Sequence, residues 1–340
     1  MKKDNSSTKF SIVLPLRNGG EYVKLCVASI LEQSYHDFEL IILENKSTDG
    51  TVEWLKTISD RRVKIISAKK PLSLEDNWSR ISSIKTNEFI TFIGHDDLFA
   101  PNYLDVMFDL IKKHPTATLY QTHFRYINDK GEFLRYCLPL CKIQELHEFI
   151  AKQFLRMLDS MGTGYMMRRN DYDKVGGFSK YPNLIFSDYE LWVKLIKLGY
   201  MVADPAECFS YREHTSASSN TKIGDYQASL IKYLKFLNKE AKDNSLLKDI
   251  IARYSDDYLQ YMCKNLIYRN ISIRRRMENK TAYHIVSDFD ALRSDIAVNS
   301  KRLVDVNTML KAGVLIDKWI VGRIAYIVVL RLKYIVKYIL

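Results

Sequence analysis

The chain has 340 residues, 47% of them hydrophobic, and a formal net charge of +11. That length can bury a substantial core in one large domain or two ordinary ones, and the hydrophobic content with mixed charge argues for a folded chain and against a disordered one. Five cysteines (Cys26, Cys137, Cys141, Cys208, Cys263) include no CxxC spacing, which argues against a zinc site or a disulfide framework and for a reducing compartment.

The opening "MKKDNSSTKF" has lysines but no apolar segment after them, so no signal peptide is expected and the protein is expected to stay inside its cell. "KFSIVLPL" (9–16) reads as a buried strand, "EYVKLCVASILEQ" (21–33) as a helix, and "FELIILE" (38–44) as a second strand. "STDGTVEWLKTI" follows as a helix capped by Ser47 or Thr48. Then come a strand "VKIISA", a helix near "LEDNWSRISSI" and the strand "EFITFIG". Alternation of this kind predicts an α/β protein with a mostly parallel sheet, which binds ligands beyond the carboxyl ends of its strands. Pro101 suits the first turn of a helix through "NYLDVMFDLIKKH".

Beyond residue 118 the order is less regular. A strand "TLYQTHF", a turn "NDKG" and a helix "IQELHEFIAKQFLRMLDS" are followed by a strand in "GTGYMMRR", a "GGF" segment and the helix "SDYELWVKLIKLGY". "MVADPAECFSYREH" closes this part. After residue 222 helical spacing dominates, which divides the chain into a catalytic domain, 1–221, and a helical region, 222–340. The charge divides at the same place: 29 basic against 28 acidic residues in 1–221, but 22 against 12 in 222–340.

At the end of "EFITFIG" two adjacent carboxylates, Asp96 and Asp97, repel one another unless they cap a helix, lie solvated in a loop or meet a cation. A hard divalent ion takes one or two such carboxylates when phosphate oxygens supply the remaining ligands. "LRNGG" and "LENKSTDG" bring further polar residues to the same edge, after the first and second strands.

Four segments together resemble the inverting family 2 glycosyltransferases, whose fold is called GT-A. They are the opening "FSIVLPLRNGGEYVKLCVASILEQSYHDFELIILENKSTDGT", the Asp-x-Asp-type "GHDDLFAP", "GGFSKYPNLIFSDYELWVKL", and the late "YREH", in the family's order over about residues 9–214. The resemblance implies a Rossmann-like catalytic domain that binds a nucleotide-sugar donor and Mn²⁺ or Mg²⁺. It implies that Asp97 contacts the metal and that Asp96 contacts the donor's ribose or shares the metal. Glu44 and Asn45 stand where the family usually has Asp-Asp or Asp-Asn beside the nucleotide base, and Gly94 replaces an acid that often begins the longer metal motif. Pro15, Arg17 and Asn18, at the Pro-x-x-Asn strand end, fall on the nucleotide side, although Asn18 also suits a turn with Gly19 and Gly20. Asn77 and Arg80 lie either on the donor side or on a solvated helix face. Arg212 is expected to contact phosphate, and His214 the metal or the diphosphate unless it is a solvated loop residue. Asp188 matches the general base, against the reading that it merely caps its helix, and the helix start is expected to hold it ionised. Asp49 is given a structural role. His123, Tyr126 and Tyr165 border the acceptor, and Trp192 belongs to the core.

Inverting transfer requires one carboxylate to take the acceptor proton while the leaving diphosphate is neutralised. The expected reaction moves a sugar, from a UDP-sugar, to a hydroxyl of a glycan or lipid-linked glycan in polysaccharide assembly. A sugar nucleotidylyltransferase would want a Gly-rich basic phosphate loop after the first strand, which "LRNGGEYVK" matches poorly. A catalytically silent docking scaffold is the other alternative. The segment from Leu315 to Leu340 is apolar with Asp317, Lys318, Arg323, Arg331, Lys333 and Lys337, and its longest uncharged run, Ile324 to Leu330, is too short to span a bilayer. It reads either as an amphipathic helix on an anionic membrane surface, aided by "IRRRMENK" at 273–280, or as a helix packed on protein. The expected location is cytoplasmic, peripheral on the inner face of the membrane. No nucleic-acid recognition motif accompanies the charge, and a homo-oligomer is compatible with it.

Overall fold

The computed structural model describes residues 10–213, 221–272, 281–295, 307–319, 322 and 324–329. The chain divides into two compact units, Met1–Phe149 with Arg156–Ser219, and Ile150–Leu155 with Asn220–Leu340.

The first unit is a ten-stranded sheet flanked by helices. Its strand order is β3-β2-β1-β4-β9-β6-β10-β5, with β7 on β6 and β8 on β10. The strand β1 (Phe10–Leu16) is buried at every residue, as a central strand covered on both faces must be. It pairs in parallel with β2 (Phe38–Glu44) and β4 (Phe89–Phe92), and β2 in turn pairs with the short edge strand β3 (Val63–Ile65). The register sets Leu16 opposite Glu44 and Val13 opposite Phe92, so these strands release their loops at one edge. Helix α1 (Gly20–Leu31) buries Val23, Cys26, Val27 and Ile30, the spacing of one helical face.

Beyond β4 the pairing is mixed. The strand β9 (Met166–Arg168) runs antiparallel to β4, which brings the segment before it alongside the Asp96–Asp97 turn. The parallel pair β6 (Leu119–Ile127) and β10 (Met201–Arg212) follows, and β5 (Leu98–Phe99) pairs antiparallel with β10. The last pairing lays Asp97 beside the end of β10. Strands β7 (Phe133–Tyr136) and β8 (Ile143–Gln144) complete the sheet.

Several boundaries differ from the sequence expectation for physical reasons. Helix α2 (Thr51–Leu55) is preceded by Gly50 in the left-handed region, φ 89°, and not capped by Ser47 or Thr48, whose polar groups bond Asn18 instead. Helix α3 spans Leu74–Ser79, with Ser73 as the true cap, its hydroxyl accepting from the Asp76 N–H. Helix α4 (Tyr103–Lys113) starts after Asn102, leaving Pro101 outside it, where the Pro101 carbonyl accepts from the N–H and hydroxyl of Ser34. The helix expected over 143–160 is confined to α5, Leu146–Phe154, because Ile143 and Gln144 pair with β10. Two more helices, α6 (Arg169–Lys174) and α7 (Ser187–Lys197), complete this unit.

The second unit is helical, with α8 (Ile223–Glu240), α9 (Ser245–Ser272), α10 (Ala282–Asp295) and α11 (Thr308–Lys318). Gly313 of α11 packs so closely on α9 that a Cβ there would stand 2.7 Å from Ile267 Cγ2. Arg293 is buried and pairs with Asp256 at 2.6 Å. No helix among the described residues is long and apolar enough to cross a membrane. The cluster at 273–280 lies outside the described residues, as do Arg323, Arg331, Lys333 and Lys337 of the expected terminal helix.

Candidate active site

At the carboxyl edge of β1 and β4 lies a cleft of about 610 Å³. Gly94, His95, Asp96 and Asp97 contribute one side of it, and Gly162, Thr163 and Asp188 another. Leu74, Trp78, Phe178 and Leu184 supply apolar surface, with Trp78 and Phe178 edge to face at 5.3 Å. Tyr126 and Tyr211 also line it. Of the residues singled out in the sequence, Pro15, Asp96, Asp97, Tyr126 and Asp188 therefore share one cavity.

The two aspartates differ in environment. Asp97 is buried, its Oδ1 accepting from the Arg212 backbone N–H at 3.1 Å and its Oδ2 from the Thr163 hydroxyl at 2.9 Å. Burial, and then the neighbouring Asp96 charge, push its carboxyl well above the ordinary carboxylate range, against those two hydrogen bonds and the Arg212 charge. Asp96 is part-exposed toward the cleft. Both carboxylates converge over Gly94, where a Cβ would stand 2.6 Å from Asp96 Oδ1 and 3.0 Å from Asp97 Oδ2. An acid at position 94 would collide with the pair, which accounts for the glycine.

This donor set fits Mn²⁺ or Mg²⁺. Two converging carboxylates, one disfavoured as an anion by burial and by its neighbour, are the hard oxygen ligands such a cation takes, and it would relieve their repulsion. Among the described residues no group of three or more His, Cys, Asp or Glu side chains is close enough together to hold a metal ion, so water and phosphate oxygens would complete the coordination. His214 lies outside the described residues.

Asp188 lies in the first turn of α7 and lines the cleft. Desolvation pushes its pKa up to about 6, opposed by backbone hydrogen bonding, including the Tyr189 N–H at 2.9 Å. Burial outweighs the helix start in setting the direction of this shift, and a carboxyl at about 6 is still mostly ionised at neutral pH. Leading into α7, Asn183, Leu184 and Phe186 all have positive φ, 51°, 58° and 66°. Left-handed backbone costs a non-glycine residue about 1–2 kcal/mol, so this arch is held by its surroundings. One hold is the Asn183 N–H, which donates to Glu75 Oε1 of α3 at 2.6 Å.

The other sequence candidates frame the cleft rather than line it. Asn18, exposed and at φ 53°, clasps the second loop: its N–H donates to Ser47 Oγ and its Oδ1 accepts from the Thr48 N–H. Asp49 completes the clasp by accepting from the N–H groups of Gly20 and Thr51. Arg17 is exposed and reaches the Leu72 carbonyl. Glu44 and Asn45 are buried, Glu44 accepting from the Ser47 N–H and Asn45 exchanging two hydrogen bonds with the Leu72 backbone. Asn77 is buried, not solvated, and Arg80 donates to Asn77 Oδ1 and the Glu44 and Ile66 carbonyls. Arg212 is buried too, donating to the carbonyls of Asp96, Asn128 and Asp129 with its guanidinium over Tyr22. It braces the aspartate turn from behind. Of the acceptor candidates, Tyr126 lines the cleft, Tyr165 is buried against Trp192, and His123 accepts from the Leu140 N–H.

Thr163, Gly162, Trp78, Phe178 and Leu184 were not singled out from the sequence. The "GTG" and "GGF" strings that carry or adjoin several of them were the available signal.

A mostly parallel sheet with paired carboxylates and a cleft carboxylate at its carboxyl edge defines a GT-A glycosyltransferase architecture. The profile of Glycosyl transferase family 2 matches residues 11–176. An uncharacterized glycosyltransferase of Rickettsia typhi is 22% identical over 91% of this chain and 96% of its own. UDP-Glc:alpha-D-GlcNAc-diphosphoundecaprenol beta-1,3-glucosyltransferase WfgD of Escherichia coli is 23% identical over 63% of this chain and 80% of its own. Among solved structures, S. aureus TarS 1-349 in complex with UDP-GlcNAc superposes with a TM-score of 0.66 at 14% identity, covering 96% of this chain and 92% of that one. The mannosyltransferase PcManGT from Pyrobaculum calidifontis, in complex with GDP-Man and Mn²⁺, gives 0.51 at 15% identity, covering 96% and 86%. Residues 11–176 thus resemble Glycosyl transferase family 2, and relatives aligned over most of the chain are named as glycosyltransferases.

Proposed function

We propose that this glycosyltransferase moves a sugar from a UDP-sugar to a hydroxyl of a lipid-linked glycan, with inversion and with Mn²⁺ or Mg²⁺, in surface-polysaccharide assembly. The observation that carries the reading is the convergence of Asp96, Asp97 and Asp188 on one cleft at the carboxyl edge of the sheet. The donor and acceptor classes are those in the names of TarS and WfgD.

In this reading Asp96 and Asp97 would hold a divalent cation, which when bound would supply positive charge to the departing diphosphate. Asp188 takes the proton of the acceptor hydroxyl as its oxygen forms the new bond to the anomeric carbon. The anomeric carbon–phosphate oxygen bond breaks on the opposite face, and the nucleoside diphosphate leaves. Trp78, Phe178 and Leu184 present apolar surface that limits water, which would otherwise compete as acceptor.

Attachment to an anionic membrane would bring such an acceptor within reach. Supporting it are the excess of 22 basic over 12 acidic residues in 222–340 and the exposure of Trp319, Ile324 and Val328 at 66%, 57% and 49%. Flotation with anionic liposomes tests this part: identical sedimentation of the full chain and a chain ending at residue 312 rejects it.

The decisive test is a thermal-shift screen of UDP-, GDP- and CDP-sugars with and without Mn²⁺, followed by transfer or hydrolysis assays with the stabilising donor. Selective stabilisation by a UDP-sugar that requires Mn²⁺ is expected. Absence of any nucleotide response would reject the reading, and a response to GDP- or CDP-sugars alone would correct the base.

A further inference from the structure

The segment Ser160–Gly164 touches both halves of the reaction centre. On the metal side, Thr163 Oγ1 donates to Asp97 Oδ2 at 2.9 Å, with Thr163 7% and Asp97 2% exposed. On the base side, a Cβ on Gly162 would lie 3.6 Å from Asp188 Cβ and 3.8 Å from its Oδ2, so Gly162 packs directly on that residue. The preceding carbonyl, of Met161, accepts from Trp192 Nε1 at 3.2 Å, and Trp192 is one turn beyond Asp188 on α7.

The segment is anchored at both ends. Gly164 sits at φ 78°, its N–H donating to the Phe92 carbonyl, and a Cβ there would stand 2.9 Å from the Phe209 ring. Tyr165 stacks on Trp192 with ring centroids 4.4 Å apart, and its hydroxyl pairs with Ser160 Oγ at 3.1 Å. The Thr163 hydroxyl therefore cannot drift far from Asp97 without disturbing the packing under Asp188.

We propose that Thr163 is a positioning residue for the metal site, that its hydroxyl orients the Asp97 carboxylate for the cation, and that its loop fixes the spacing between that carboxylate and Asp188. This rests on the metal-dependent reading above. With a donated hydrogen bond on Oδ2 and the Arg212 N–H on Oδ1, the Asp97 carboxylate is held from two sides, and each oxygen keeps a lone pair that would be available to a cation. Loss of such an outer hydrogen bond in metal sites typically costs 10–100-fold in affinity or activity. Arg212 supplies its share from the backbone, which no side-chain substitution removes, so Thr163 is the partner that mutagenesis can reach.

The test compares wild type, Thr163→Val, Thr163→Ser and Asp97→Asn. Each is titrated with Mn²⁺ at saturating UDP, GDP or CDP, whichever stabilises the wild type, and the Mn²⁺ midpoint is read by thermal shift. Far-UV circular dichroism of the metal-free proteins checks folding. Thr163→Val is expected to raise the midpoint about 10-fold and Thr163→Ser to stay near wild type. Asp97→Asn should abolish the response. A wild-type midpoint in Thr163→Val overturns the inference while leaving the metal reading intact. An equal loss in Thr163→Ser and Thr163→Val also overturns it, by pointing to packing and not to the hydroxyl. A wild type that shows no Mn²⁺-dependent shift with any nucleotide overturns the metal reading and the inference with it.

Discussion

Gly94 passes so close to Asp96 that a Cβ on it would stand 2.6 Å from the Asp96 Oδ1, and 3.0 Å from the Oδ2 of Asp97 next in the chain. Real Cβ contacts are not that short, so even a methyl group must push the carboxylates apart. Gly94 has no positive φ, so the backbone itself tolerates alanine. Gly94→Ala should therefore fold normally yet, with the proposed metal held by this pair, lower kcat/KM by about 10-fold or more, the loss that follows disturbance of the groups around metal ligands. Steady-state kinetics with circular dichroism checks this, and an unchanged kcat/KM would show that the pair need not converge.

As the proposed base, Asp188 should link activity to stability in opposite senses. Its folded pKa, about 6, exceeds the ordinary value of 3.8, so the native state binds its proton more tightly than the unfolded chain. Its contribution to stability is then fully present below pH 4 and is lost as pH rises toward 6, leaving a constant penalty above. Two pKa units correspond to about 3 kcal/mol, an upper figure for the gain in Asp188→Asn at pH 7.5. Denaturant unfolding should show a more stable variant whose stability varies less between pH 4 and 6. Turnover should fall by about 10²–10⁴, the usual worth of a general base. A variant both less stable and active would refute the assignment.

As the proposed base, the same carboxyl should set the pH–rate profile. A base must be ionised, so kcat/KM should rise tenfold per unit on the acid side, bend near pH 6 and level off above 7. A bend near 4 would mean that the desolvated carboxyl is not the titrating base.

Arg212 separates bracing from phosphate binding. Its guanidinium is buried and donates to the carbonyls of Asp96, Asn128 and Asp129, a fork that a lysine ammonium does not reproduce. Arg212→Lys should lose about 2–3 kcal/mol of stability, measured by denaturant midpoint, because buried carbonyls lose their donors. A residue that contacted phosphate from a solvated position would instead lose nucleotide affinity at unchanged stability.

Local order was legible in the sequence because period and capping are properties of short segments. The all-apolar β1, the helical stripe of α1 and the alternation of strands and helices come from neighbours within a few residues, and they were sufficient to place Asp96 and Asp97 at a ligand-binding edge. The four motifs together carried the resemblance that the family profile matches over residues 11–176. What only the tertiary structure decided depends on partners far apart in the chain. Thr163 reaches Asp97 across 66 positions and the Arg212 N–H reaches it across 115, so no local pattern could show which aspartate is buried and gripped. Ser47 and Thr48 looked like helix caps until Asn18, 29 and 30 positions away, claimed their polar groups. Asp188 looked like a carboxylate at a favourable helix start, but the protein packed around it sets the sign of its shift, since desolvation grows with every neighbour that excludes water. Sequence determined which residue types meet at the sheet edge; burial, which only the assembled chain creates, determined what each of them is able to do there.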